Sequence, residues 1–203
     1  YRGYDIASMP PPSSGGVHVI QMLNILSGFP LGYLGHNTAE TLHIMAESMK
    51  HAYADRSEHL GDPNFWNVPT QGITSAEYAA EVRSKINRWT ATPSDDIKPG
   101  KPQDYESEET THFTVVDKDG NVVVNTYTLN FSFGTGIVAK GTGILLNNEM
   151  SDFSAKPGVA NAFGLLGGEA NAVEPGKRPL SSMTPTMVFK EGKPYFATGS
   201  PGG

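Results

Sequence analysis

Apolar residues recur along the chain with two different periods. In the first half, Val19, Leu23 and Leu26 stand near helical spacing and predict a largely buried helix over 17–26. Leu42, Met45, Ala46, Met49 and Tyr53 then share one face of a longer helix, which Thr38 caps and which runs to about Arg56. Gly61-Asp62-Pro63 closes that region, and Thr74-Ser75-Ala76-Glu77 has capping-box spacing, with Thr74 and Glu77 satisfying each other's helix-end amides. A third helix is expected from there to about Ile86. In the second half the pattern shifts to strands. Segments 111–116 and 121–127 are β-branched and flank Asp117-Lys118-Asp119-Gly120, which predicts a hairpin with an Asp-Gly turn. Segment 144–146 reads as a short strand, and 187–189 with 195–198 flank Lys190-Glu191-Gly192-Lys193 as a second hairpin. Helices first and strands afterwards predict a layered α+β fold rather than alternating α/β.

Three stretches interrupt these elements. Pro10-Pro11-Pro12-Ser13-Ser14-Gly15-Gly16 stops one element and opens the next, and 157–168 is a glycine-rich loop. The stretch 90–109 holds three prolines, scattered charges and few apolar residues, ending Tyr105-Glu106-Ser107-Glu108-Glu109. It reads as a solvated linker, and such a linker is also what a self-cleavage site needs upstream of it.

Composition narrows the function class. With 37% hydrophobic and 18% charged residues in 203, the chain is a folded domain rather than a disordered one. A net charge of −6 without any lysine or arginine run speaks against a nucleic-acid partner. The absence of cysteine excludes disulfides, thiolate catalysis and cysteine-ligated zinc within the chain. No apolar run approaches the length of a membrane-spanning helix. Tyr1-Arg2-Gly3-Tyr4-Asp5 does not resemble a signal peptide and reads like the interior of a larger protein, with any targeting signal upstream. His18, His36, His43, His51, His59 and His112 show no ligand spacing, so no metal or other cofactor is expected.

The candidate chemistry lies where the acidic linker meets the first hairpin. Cutting the Glu109–Thr110 bond would give Thr110 a free α-amine beside its own hydroxyl. An α-amine titrates near pH ~8 and can take the hydroxyl proton, so one residue would hold both nucleophile and base. The extra methyl of threonine restricts χ1 and directs the hydroxyl. Taken alone, Thr110-Thr111 favours β structure and nothing more.

The company these residues keep is more specific. Thr110-Thr111-His112-Phe113-Thr114-Val115, Gly120-Asn121, Thr126-Tyr127-Thr128-Leu129-Asn130 and Phe133-Gly134 together resemble the signature of the γ-glutamyltransferases. Val124 departs from it, standing where the family usually has a smaller residue. The resemblance extends upstream through Pro10–Gly16, Ala52-Tyr53-Ala54-Asp55-Arg56 and Gly61-Asp62-Pro63. Downstream it runs through Leu145-Leu146-Asn147-Asn148-Glu149-Met150-Ser151-Asp152-Phe153, Arg178-Pro179-Leu180-Ser181-Ser182-Met183 and Gly199-Ser200-Pro201-Gly202-Gly203.

The resemblance implies a precursor that cuts itself before Thr110 and a large/small subunit heterodimer within a four-layer αββα N-terminal-nucleophile (Ntn) hydrolase fold, only partly contained in this chain. Residues 1–109 would be the C-terminal part of the large subunit and 110–203 the N-terminal part of the small, catalytic one. The implied activity is transfer of the γ-glutamyl group of glutathione and related amides to water or to an amino acid or dipeptide. A periplasmic or secreted location is implied on the same ground alone.

Position by position, the resemblance assigns Thr110 as nucleophile, Thr128 as a second hydroxyl against the freed amine, and the amides of Gly202 and Gly203 as the oxyanion hole. Asn130, Glu149 and Asp152 would meet the α-amino end of the γ-glutamyl group, Ser181 and Ser182 its α-carboxylate, and Phe163 would stand in a lid where related bacterial enzymes have a tyrosine. Each has a plainer alternative: a turn cap for Asn130, a polar loop for Ser181-Ser182, a tight turn for Gly202-Gly203, a solvated acidic pair for Glu149 and Asp152, a loop without a gate for 157–164. The family's arginine ligand for the carboxylate has no counterpart in this chain. A β-lactam acylase of the same superfamily and a non-catalytic structural module are the alternative functions.

Overall fold

The computed structural model describes residues 1–100, 111–161 and 164–200. It is a mixed helix-and-sheet structure. Strand β1 (Asp5–Ser8) leads into helix α1 (Gly15–Leu26), a short α2 (Leu31–Leu34) and the long α3 (Ala39–His59). A short α4 (Thr70–Ile73) and α5 (Ala76–Lys85) complete the helices. Strands β2 (Thr111–Val116) and β3 (Val122–Tyr127) form one antiparallel hairpin, and β4 (Thr186–Lys190) and β5 (Lys193–Thr198) another. Among the described residues no helix is long and apolar enough to cross a membrane.

The strand β1 changes the expected order. It pairs antiparallel with β4, Asp5 opposite Phe189 and Ser8 opposite Thr186, so one sheet runs β1-β4-β5 and draws on both halves of the chain. Helices and strands are therefore not simply segregated along the sequence.

The local chemistry explains the turns. In the first hairpin the Asp117 carboxylate accepts from the amides of Asp119 and Asn121 and from Asn121 Nδ2, at 2.7–2.9 Å. In the second, Glu191 and Gly192 both take left-handed backbone (φ 52° and 74°), the geometry of a two-residue hairpin turn. The 144–146 strand is reduced to a single antiparallel bridge between Leu145 and Val138, flanked by backbone bonds from Leu146 N to Ile137 O and from Ala139 N to Ile144 O.

Helix caps follow the expected chemistry with one shift. Thr38 caps α3 by accepting from Thr41 N at 3.3 Å. The N-cap of α5 is Ser75, accepting from Tyr78 N, while the Thr74 hydroxyl donates to Thr70 O and closes α4. The cap is thus displaced by one residue, and Tyr78 rather than Glu77 stands where a capping box needs a glutamate.

The face of α3 is the clearest correction. Leu42, Met45, Met49 and Tyr53 are 38–49% exposed and Ala46 is exposed too, whereas Ile44, Ser48, Ala52, Asp55, Arg56 and His59 are buried. Several of the polar groups on the inner face find hydrogen-bond partners there. Asp55 accepts from Gln21 Nε2 and the Tyr78 hydroxyl, and Ser48 donates to Ile44 O. Two apolar clusters flank this polar seam: Val17, Leu60, Ile73 and Leu180, and Ile25, Tyr78, Ala79, Val82 and Ile86.

This seam makes stability fall in acid. Burial, aided by the Arg56 charge, lowers His18 to about 3, and burial lowers His59 to about 2. An unfolded histidine ionises near 6.5, so below that value the unfolded chain binds more protons than the fold. The stabilisation is complete above about pH 6.5 and is lost as pH falls, at up to about 1.4 kcal/mol per pH unit for His18. Asp55, pushed up to about 6 by burial, acts in the opposite sense between about pH 4 and 6, but it is one group against two. The urea midpoint is expected to fall steadily from about pH 6.5 to pH 4. A midpoint constant over that range would show that these histidines accept protons within the fold.

Candidate functional site

The site is assembled at the end of the first hairpin. Thr111 at the start of β2 pairs with Tyr127 at the end of β3. Thr128 follows, and its hydroxyl oxygen accepts from Asn130 N at 2.8 Å. That bond holds a turn in which Asn130 adopts φ +71°, a conformation asparagine tolerates better than most residues. Thr110, Glu109, Phe163, Gly202 and Gly203 lie outside the described residues.

Asn130 is buried and its side chain is fixed at one end only. Its Nδ2 donates to Ser151 Oγ at 2.6 Å and to Asn148 O at 3.2 Å, while among the described residues Oδ1 has no hydrogen-bond partner. Asn148 fastens the same turn from the other side, accepting from Phe131 N at its Oδ1 and donating its amide to Leu129 O.

Glu149 and Asp152 bound a single 3₁₀ turn, Glu149–Asp152, whose start is fixed by Glu149 N donating to Asn147 Oδ1. The two carboxyls lie within hydrogen-bonding reach of each other. Burial pushes the Glu149 carboxyl above its usual range, the contact with Asp152 opposing this. Glu149 Oε1 is buried and, among the described residues, has no partner. An unpartnered carboxylate oxygen beside a second carboxyl favours a cation, and a cation there would return Glu149 to its ionised form.

Ser181 and Ser182 are brought to this turn by a chain of backbone clamps. The buried Asn171 donates from Nδ2 to Asp152 O at 2.7 Å and accepts from Leu180 N at Oδ1. Leu180 is anchored in the first apolar cluster. Arg178 grips the buried Asp62 with its amide, Nε and Nη2 at 2.5–2.9 Å, which holds Asp62 well below the usual carboxylate range. Ser181 N donates to Pro12 O, Ser14 N donates to Ser181 O, and the hydroxyls of Ser14 and Ser182 are 3.5 Å apart. The Pro-Pro-Pro-Ser-Ser-Gly-Gly stretch is thus the wall behind the serine pair.

The end of β5 closes the group. Any side chain at Gly199 would run into the His112 ring, so the strand leading towards 202–203 passes directly over β2. Beside Asp152, segments 155–161 and 165–167 border a cavity of about 280 Å³ lined also by Arg56, Phe153, Leu180 and Asn171.

The structure therefore brings together Thr128, Asn130, Glu149, Asp152, Ser181 and Ser182. It adds Ser151, Asn148 and Asn171, which sequence reasoning did not single out. Ser151 and Asn148 sat inside a motif already noticed, whereas Asn171 carries no sequence signal at all.

Comparison with known proteins identifies the family. The family described as Gamma-glutamyltranspeptidase matches residues 1–203. Over its whole length the chain is 61% identical to the glutathione hydrolase proenzyme of Escherichia coli (strain K12), covering 35% of that protein. It is 42% identical over 207 residues to the Acylase ACY 1 proenzyme of Pseudomonas sp. (strain SE83), covering 34% of it. Among solved structures, 97% of the chain superposes on 32% of a cephalosporin acylase from Bacillus halodurans, with a TM-score of 0.77 at 30% identity. The chain spans about a third of the length of the curated relatives it matches. It belongs to the γ-glutamyltranspeptidase family.

Proposed function

We propose that the full-length protein is a self-cleaving γ-glutamyl hydrolase and transferase, in which Thr110 attacks both its own precursor bond and the substrate. The observation that carries this reading is the pair of buried acceptors, Asn130 Oδ1 and Glu149 Oε1, set beside Asp152. A γ-glutamyl donor presents an α-ammonium, and carboxylate and amide oxygens receive it with charge-assisted hydrogen bonds.

In the precursor, Thr110 Oγ adds to the Glu109 carbonyl carbon, the C–N bond breaks, and the amine leaves protonated. Water then hydrolyses the ester, giving a Glu109 carboxylate and restoring the Thr110 hydroxyl. The freed α-amine serves as base for the next attack, on the γ-carbonyl of the donor. That attack breaks the donor's amide C–N bond, and the donor's amine leaves with the proton. The γ-glutamyl group of the resulting ester then passes to water or to the amine of an amino acid or dipeptide, restoring the Thr110 hydroxyl, and no cofactor takes part. Thr128, the residue after the β-partner of Thr111, would supply a second hydroxyl that orients the amine. Gly202 and Gly203 would supply amides to the oxyanion, one such donor contributing about 3 kcal/mol. Ser181 and Ser182 would meet the donor's carboxylate, and Phe163 would cover the ester by packing alone.

On this reading 1–109 closes the large subunit and 110–203 opens the small one. The two stay together as a heterodimer with a four-layer αββα core, exported to the periplasm or medium. The likeness to cephalosporin acylase favours acyl transfer from β-lactam side chains as a second reading. An acylase selecting apolar acyl groups has no use for the acidic pair. The test is to incubate the full-length protein with a γ-glutamyl anilide and with a cephalosporin amide while following intact mass. Two fragments divided before Thr110 and release from the γ-glutamyl compound are expected. Release from the cephalosporin alone would establish the acylase, and an uncut, inactive protein a structural module.

A further inference from the structure

The segment that leads to the scissile bond is strapped along α3 by side chains spaced about one or two turns apart. Glu40 pairs with Arg88, and His43 Nε2 lies 2.7 Å from Asn87 O. Glu47 accepts from Thr92 N while Lys50 donates to Thr92 O at 2.8 Å. The last strap converges on one buried carboxylate. Asp55 Oδ1 accepts from Gly100 N at 2.5 Å, and its Oδ2 accepts from the Tyr78 hydroxyl at 2.8 Å and from Gln21 Nε2 at 3.0 Å. Gly100 O in turn lies 3.0 Å from His59 Nε2. Asp55 is 1% exposed, and a Cβ at Gly100 would collide with the Tyr78 hydroxyl, so only glycine lets the chain pass this close. The three groups come from three separated parts of the sequence, and an exposed linker needs no such buried fixture.

We infer that Asp55, Tyr78 and Gly100 form a positioning clasp for self-cleavage, fixing the point from which the chain reaches Glu109–Thr110. The inference rests on the proposed cleavage before Thr110. None of the three residues is in the group that would bind the donor. Nine residues separate Gly100 from Thr110, and seventeen separate Thr92 from Thr110. Releasing the chain back to Thr92 lengthens the tether beyond the last held residue from nine residues to seventeen, and a bond whose approach is held less firmly spends less of its time in the geometry the attack needs. Loss of the fixed direction of entry adds to that. After the cut the tether carries no reacting bond, so donor hydrolysis has no further need of the clasp.

The test uses the full-length precursor made by cell-free synthesis. The first-order rate of its division is followed by intact mass, and γ-glutamyl anilide hydrolysis is measured per cleaved molecule. Gly100→Ala and the milder Tyr78→Phe are each expected to slow division at least about threefold. The kcat and KM of the cleaved product and its melting temperature should stay near those of the unsubstituted protein, with Tyr78→Phe keeping the fold if Gly100→Ala does not. Division by both variants at the unsubstituted rate would overturn the clasp. So would slowing accompanied by a matching loss of hydrolysis or melting temperature, which would make these residues merely structural. An unsubstituted precursor that never divides before Thr110 would overturn the functional reading itself.

Discussion

Thr110→Ala in the full-length protein is expected to leave a single uncut chain with no detectable γ-glutamyl release, whereas Thr110→Ser should still divide. Alanine has no oxygen to add to the Glu109 carbonyl, and without the cut there is no α-amine to act as base. Both reactions therefore fail together, and the loss in each should reach the background rate. Serine retains hydroxyl and amine but lacks the methyl that restricts χ1, so it should divide more slowly. N-terminal sequencing of the small fragment decides the matter. A start at any residue other than Thr110, or normal division of Thr110→Ala, would remove Thr110 from the chemistry.

Asp152→Asn should separate the two reactions that Thr110→Ala abolishes together. Asp152 is placed with Glu149 and Asn130 around the position proposed for the donor's ammonium. Removing one partner of a desolvated charge pair commonly costs about 3–5 kcal/mol, which is about two to four orders of magnitude in kcat/KM. The precursor bond has no glutamyl ammonium, so division before Thr110 should proceed at nearly the unsubstituted rate. A paired assay of division and anilide hydrolysis on one preparation is decisive. Equal loss of both would indicate misfolding, since Asp152 O also holds Asn171. Loss of neither would make Asp152 an ordinary surface carboxylate.

What the sequence made legible depended on the range over which the forces act. The hairpins and the Thr38 cap are settled within a few residues by turn chemistry and capping, and the structure bears them out. The inner face of α3 was misread because hydrophobic periodicity assumes that apolar residues face the core. Here Asp55 and His59 are turned inward by partners at distant positions such as Gln21, Tyr78 and Gly100. The pairing of β1 with β4 spans some 180 residues and leaves no local trace. The candidate site residues were named through a long motif, yet the motif said nothing of how Ser181 and Asp152 come together. That work falls to Asn171, one unmarked asparagine between them.

The shared sheet has a consequence for molecularity. Strand β1 lies before Thr110 and β4 after it, and Asp62–Arg178 and Ser14–Ser181 also span that position. In an uncut chain these contacts re-form at a rate independent of concentration, because a covalent thread keeps the halves near each other. Once the thread is cut, the same contacts must be found by two diffusing pieces, and recovery after denaturation becomes second order. Cleavage before Thr110 would then act as a ratchet. It leaves the folded molecule intact while making its unfolding much harder to reverse when dilute.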